Sequence, residues 1–200
     1  MGKAWVKTRR RDPYYRAAKA QGLRSRAVFK LLQIQERFGL LYPGDTVLDL
    51  GASPGGWSRG AAELVGRRGR VVAVDRVSMA PMDDVSFVRG DFTNPDVHTA
   101  ILEALGRPAD AVLCDAAPRL SGHRSLDLAR TLDLARSALA LARKALRPGG
   151  RFVAKTFQGE GYRGFLSEVA EDFETVKGYV TPATPPGSSE TYVVAVGRFG

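Results

Sequence analysis

The thirteen residues TVLDLGASPGGWS, Thr46 to Ser58, decide the fold. Thr46–Leu50 is a short β-branched and apolar run carrying one acid, Asp49, the composition of a strand covered on both faces. It runs directly into Gly51, Gly55 and Gly56, and from Gly56 to about Val65 the apolar spacing is helical. Small residues at such a turn let a ligand approach the backbone, and the helix start offers free N–H groups to an anionic group. The spacing Gly51-x-x-x-Gly55-Gly56 is not G-x-G-x-x-G, and Trp57 stands where a phosphate-binding Walker loop needs its lysine. A kinase or ATPase is therefore disfavoured.

Downstream, strand-like and helix-like segments alternate: RVVAVD (70–75), VSFVRG (85–90), a helix from about Pro95 to Leu105, DAVLCD (110–115), and a long helix from about Leu126 to Leu146. After the turn signal Arg147-Pro148-Gly149-Gly150 come the strand RFVAKTF (151–157) and a helix near Tyr162–Ala170. FETVKGYV (173–180) and TYVVAVGRF (191–199) end the chain, joined by the loop TPATPPGSS. Upstream, Ala27, Val28, Leu31, Leu32, Ile34 and Phe38 recur at helical spacing within 23–38, and Gly39 ends that helix. The alternation predicts an α/β fold, a mostly parallel sheet with helices on both faces. Residues 23–200 form one domain behind a basic, partly flexible arm over 1–22.

Ligands of such sheets sit at the carboxyl ends of the strands, where strand order reverses. Asp49 and Gly51 end or follow the first strand, Asp75 ends the second, Asp91 follows the third, Asp115 ends the fourth, and Lys155 lies late in the fifth. Asp75, 24 residues after Gly51, is placed to accept hydrogen bonds from ribose hydroxyls, and Asp91 in RGDF to accept from a base amine. Together with the glycine loop they point to S-adenosylmethionine first and NAD(P) second. Burying the Lys155 ammonium without a partner would cost several kcal/mol. Either its stem carries the charge to solvent, or it is paired inside a site.

Ten of the thirty Lys and Arg lie in the first thirty residues against one acid, Asp12, which leaves twenty of each sign for the remaining 170 residues. The net charge of +9 thus resides at the N-terminus, where Trp5, Tyr14 and Tyr15 are interleaved with the cations. That mixture grips phosphates and stacks on bases, and favours nucleic acid over membrane; the plainer reading is a solubilising tail. A single cysteine, Cys114, excludes an internal disulfide and reads as an apolar filler. His98 and His123 lack partners at metal-ligand spacing and are expected at surface or capping positions, with no metal site. No run approaches membrane-spanning length, so a cytoplasmic chain is expected.

Six stretches resemble the FtsJ/RrmJ (RlmE) ribose 2′-O-methyltransferases over nearly the whole chain: GLRSRAVFKLLQI (22–34), LDLGASPGGWS (48–58), RGDF (89–92), CDAAP (114–118), LRPGGRFVAKTFQGEG (146–161) and SSETYVVAVG (188–197). The resemblance implies a Rossmann-like class I fold, seven-stranded and mostly parallel, closed by a C-terminal antiparallel hairpin. It implies S-adenosyl-L-methionine as methyl donor and a uridine of large-subunit rRNA as substrate, in the A loop of the peptidyl transferase centre. The partner would be the assembled large ribosomal subunit, met by a monomer. A Lys-Asp-Lys-Glu catalytic set falls on Lys30, Asp115, Lys155 and Glu190, and cofactor contacts fall on Gly51, Gly55, Gly56, Trp57, Asp75, Asp91 and Asp115. The chain departs from the family where TPATPPGSS replaces a Ser/Arg-rich segment and where Ala116 and Arg119 replace Met and Asn. The alternatives are a tRNA or messenger-cap ribose methyltransferase and a non-catalytic rRNA-binding assembly factor.

Overall fold

The computed structural model describes residues 13–20, 22, 24–119 and 121–200. Most of the basic arm, Trp5 included, lies outside them. One sheet contains β1 (Thr46–Leu50), β2 (Arg70–Asp75), β3 (Val85–Arg89), β4 (Ala109–Cys114), β5 (Leu146–Phe157), β6 (Phe173–Tyr179) and β7 (Glu190–Arg198). The order is β3-β2-β1-β4-β5-β7-β6, parallel from β3 to β5, with β7 antiparallel to both its neighbours. Order reverses between β1 and β4, so a crevice opens above their carboxyl ends.

The helices are α1 (Pro13–Ala20), α2 (Ala27–Phe38), α3 (Gly56–Val65), α4 (Pro95–Leu105), α5 (Arg124–Ala145) and α6 (Tyr162–Ala170). Side chains alternate across a strand, which divides the core in two. Val47, Val71, Leu113, Val153 and Tyr192 face Leu31 and Ile34 of α2 and Trp57 and Ala61 of α3. Leu48, Val72, Val112, Phe152 and Val193 face Ile101 of α4, Leu139 of α5 and Phe165 of α6.

The expected elements all form, with differences at their ends. The helix expected from Leu23 begins at Ala27, whose N–H is taken by Ser25 Oγ at 3.1 Å; Gly39 ends it in the left-handed conformation at φ 60°. Within the expected arm, Pro13–Ala20 is helical and rests on α2, with Tyr14 and Phe29 ring centroids 5.5 Å apart. Arg147–Gly150, read as a turn ahead of the strand, lies inside β5: Ala109 pairs with Leu146 but Ala111 with Arg151, so the intervening residues bulge outward. His98, expected at a surface or capping position, is buried in α4 with Nε2 2.8 Å from the Phe92 carbonyl. Helix spacing turns it inward with Ile101 and Leu105. His123 does occupy the exposed N-cap position of α5.

At the amino edge of the sheet a buried ion pair fixes the start of β1. Arg151, 4% exposed, donates from Nη2 to Asp45 Oδ2 at 2.9 Å and from Nε to the Asp110 carbonyl at 3.2 Å. Its guanidinium lies 5.0 Å from the centre of the Tyr42 ring. Removing one partner of such a pair strands a desolvated charge. Asp45→Ala is therefore expected to lower the free energy of unfolding by about 3 kcal/mol, read from urea denaturation.

Candidate active site

The period of two along each strand assembles the site. Asp115 stands two residues beyond Leu113, Lys155 two beyond Val153, and Glu190 two before Tyr192, so all three continue the sheet face that α2 covers. Register completes it, because Lys155 pairs with Tyr192 and Phe157 with Glu190 across β5 and β7. Lys30 comes down from α2 onto the same spot.

Lys155 and Lys30 are only 8% and 7% exposed, so the reading in which Lys155 carries its charge to solvent does not hold. Each is paired instead. Lys155 Nζ donates to the Asp115 carbonyl at 2.5 Å and lies 3.3 Å from Asp115 Oδ1. Lys30 Nζ donates to Glu190 Oε1. Tyr192 joins the pairs, its hydroxyl 2.7 Å from Asp115 Oδ1 and 3.4 Å from Glu190 Oε1. Burial, reinforced by these two carboxylates, pushes its phenol far above the ordinary value, so it stays a donor. Sequence reasoning missed Tyr192; its signal was the shared strand face of Glu190 and Tyr192, two residues apart.

Beside this cluster, above the crossover between β1 and β4, lies a cavity of about 1120 Å³ whose wall includes Gly51, Ser53, Asp75, Asp91, Phe92 and Asp115. Gly51 has φ +73°, and a Cβ there would fall 2.6 to 2.9 Å from Ala116, so only glycine lets the two loops close on each other. Asp75 accepts from the Ser53 N–H at 3.0 Å through Oδ2 and from the Val77 N–H at 2.8 Å through Oδ1. One lone pair on each oxygen remains for a pair of hydroxyls. Hydrogen bonds from Thr93 hold the Asp91 carboxyl below its ordinary range, so it is ionised and an acceptor.

Gly55, Gly56 and Trp57, expected at the cofactor, are not in the cavity wall. Gly55 is closed off by Arg24, Met79 and Met82, and Gly56 backs onto Ser25. Trp57 is buried in the core, its Nε1 donating to the Ala27 carbonyl at 2.8 Å and its ring 5.6 Å from that of Tyr192. Arg24 also grips the loop before β3, donating to the carbonyls of Ala80 and Pro81 at 2.6 and 2.8 Å. Asp49, read as a strand-end acid, is fully buried beneath the cavity, with Oδ2 accepting from Ser58 Oγ at 2.6 Å and Oδ1 without a partner. Cys114 is the buried filler expected, its thiol pushed up to about 12 by burial.

A mostly parallel seven-stranded sheet with an antiparallel strand inserted near one edge, and a nucleoside-sized cavity at its switch point, is the fold of class I methyltransferases. The sequence profile of FtsJ-like methyltransferases matches residues 23–198. The ribosomal RNA large subunit methyltransferase E of Pseudomonas aeruginosa is 45% identical over 197 residues, covering 98% of this chain and 95% of that protein. The protein of the same name from Methanoculleus marisnigri is 45% identical over 195 residues, covering 98% and 93%. A crystal structure from Plasmodium falciparum, described as a ribosomal RNA methyltransferase, agrees with a TM-score of 0.80 at 24% identity, over 88% of this chain and 99% of that one. This chain belongs to the FtsJ-like methyltransferase family. Its cofactor is S-adenosylmethionine, and the cavity suits it: the paired acceptors of Asp75 match a ribose diol, Asp91 a base amine, and Gly51 a close backbone approach.

The buried Asp49 gives the fold a pH dependence. Burial raises its carboxyl from 3.8 to about 7; Ser58 opposes the rise, and Asp115 and Asp75 add to it. Between about pH 4 and 7 the folded chain keeps a proton that the unfolded chain has released, so Asp49 makes the fold less stable as pH rises across that window. Asp49→Asn, neutral throughout, is expected to gain stability relative to the wild type over the same window, with no further change above it. Urea denaturation at a series of pH values measures this, and a constant difference would refute it.

Proposed function

We propose that this chain transfers a methyl group from S-adenosylmethionine to the ribose 2′-hydroxyl of a uridine in large-subunit ribosomal RNA, in the A loop. The observation that carries the reading is Lys155, buried in the fifth strand and held by Asp115, a residue that also lines the cofactor cavity. The names of the relatives from Pseudomonas aeruginosa and Methanoculleus marisnigri supply the RNA class. The resemblance of Lys30, Asp115, Lys155 and Glu190 to the family's catalytic set supplies the ribose oxygen and the uridine.

When bound, the cofactor supplies an electrophilic methyl group on a sulfonium. Asp75 would hold the hydroxyls of its ribose, Asp91 the amine of its base, and the loop at Gly51 its amino-acid end. The rest of the rate comes from aligning a ribose oxygen with that methyl and removing its proton. Lys155 does the second. A neutral lysine amine has two N–H groups and one lone pair; the Asp115 carbonyl takes one N–H, Asp115 Oδ1 stands 3.3 Å from the nitrogen, and the lone pair accepts the 2′-hydroxyl proton. The oxygen would take the methyl that the sulfonium supplies, and the proton it loses leaves an ammonium on Lys155, which Asp115 stabilises. Lys30, neutralised by Glu190, sits where a cation holds the ribose or the adjoining phosphate.

The basic first thirty residues, the arm over 1–22 and the segment that leads into α2, contribute affinity for RNA. They hold ten cations against one acid, whereas the other 170 residues carry equal numbers of cations and anions. Mapping ribose methylation on large-subunit RNA treated with the protein and S-adenosylmethionine tests the whole reading; methylation of isolated tRNA instead would reassign the substrate. Lys155→Met, which keeps the aliphatic stem, is expected to slow single-turnover methyl transfer about 10²- to 10⁴-fold while leaving cofactor affinity within a few-fold. Removing residues 1–11 is expected to weaken RNA binding and flatten its dependence on salt, because with fewer phosphates neutralised by Lys and Arg, fewer counterions leave the RNA on binding. An unchanged salt slope in a binding titration would remove the arm from the interface.

A further inference from the structure

We infer that Tyr192 is a positioning residue for methyl transfer: its hydroxyl, placed between Asp115 and Glu190, holds Asp115 in the orientation that turns Lys155 Nζ toward the substrate hydroxyl. The inference rests on the 2′-O-methyl transfer reading above and deepens it.

The ring is fixed from three sides. Tyr192 is wholly buried in β7, lies 5.6 Å from Trp57 of α3 at an interplanar angle of 30°, and has Lys30 Nζ 5.7 Å from its centre. Trp57 is itself tied to α2 through the Ala27 carbonyl. An aromatic ring so held is a rigid arm, and its hydroxyl has one proton to offer two carboxylates. The 2.7 Å approach to Asp115 takes the proton and the 3.4 Å approach to Glu190 does not.

Asp115 Oδ1 therefore has one hydrogen-bond donor, the Tyr192 hydroxyl at 2.7 Å, while Lys155 Nζ stands 3.3 Å away as an ion-pair partner. Tyrosine thus keeps the carboxylate from closing fully on the lysine, whose hydrogen bond runs to the Asp115 backbone at 2.5 Å. Without the hydroxyl, the carboxylate would turn onto Nζ, engage it more tightly and favour its charged form. The charged or titratable groups around Lys155 are Asp115 after β4, Tyr192, its partner across β5 and β7, and the buried thiol of Cys114; Lys30 and Glu190 stand beside Tyr192, and Asp49 interacts with Asp115. Of these, Tyr192 alone has a neutral donor on Asp115.

The test is Tyr192→Phe in the full chain, which keeps the ring, its packing on Trp57 and its place under Lys30. Single-turnover methyl transfer is measured on large ribosomal subunits that lack the modification, across pH, beside the dissociation constant for S-adenosylmethionine. The expected result is a rate lowered roughly 10- to 100-fold, the worth of one hydrogen bond to a charged group, at unchanged cofactor affinity. The pH at which the rate reaches half its maximum should also move upward, a change that poorer packing would not produce. A rate within twofold of the wild type, or a loss matched by equal loss of cofactor affinity, overturns the assignment alone. An inactive wild type overturns the functional reading and this assignment together.

Discussion

Two lysines are buried and two carboxylates half-buried together at the carboxyl edge of this sheet, and they are tolerable there only as neighbours of opposite sign. Desolvation costs several kcal/mol per ion unless each finds a partner and the remaining hydrogen bonds are made. Lys155 meets that condition through Asp115 on the neighbouring strand, and Lys30 through Glu190. The inserted β7 makes both pairings compatible. Because it is antiparallel, its first residues rather than its last lie at the carboxyl edge, which sets Glu190 and Tyr192 beside the end of β5. The loop ahead of it is anchored to the helix bearing Lys30, since the Ala183 N–H donates to Gln33 Oε1 at 2.9 Å. Sheet topology and charge pairing are one constraint seen at two scales.

Charge is divided between the parts of the chain. The cavity wall carries Asp75, Asp91 and Asp115, a set suited to hydroxyls and amines, together with Arg76, Arg119 and Arg130. The excess of cations over anions lies instead in the first thirty residues. Arg24 connects the two regions: it belongs to the basic segment, yet it grips the Ala80–Pro81 carbonyls and packs against Gly55 of the glycine loop.

Most elements were legible because the chain is locally consistent. Runs such as RVVAVD and DAVLCD have one reading, and Gly39 and Gly51 need the positive φ that their turns impose. Arg147–Gly150 misled because a Pro-Gly pair signals a turn whether it precedes a strand or bulges from within one. His98 misled because an isolated polar residue looks exposed until helix phase turns it inward onto the Phe92 carbonyl. Gly55, Gly56 and Trp57 occupy the expected loop but face Met82, Ser25 and Tyr192, which approach from distant parts of the chain.

By itself the sequence determined the alternating α/β order, the edge where Asp75, Asp91, Asp115 and Lys155 gather, and the neutrality of the chain beyond its basic segment, while Lys30 and Glu190 were picked out only by family resemblance. The order and the edge follow from periodicity and turn chemistry, which act over a few residues. Only the tertiary structure decided that Lys155 is paired and buried, that Asp49 lies beneath the cavity and not in its wall, and that Tyr192 bridges the two ion pairs. Each depends on which groups meet across strands and helices up to 160 residues apart, as Lys30 and Glu190 do. Desolvation, and hence the charge and direction of a side chain, is set by those meetings.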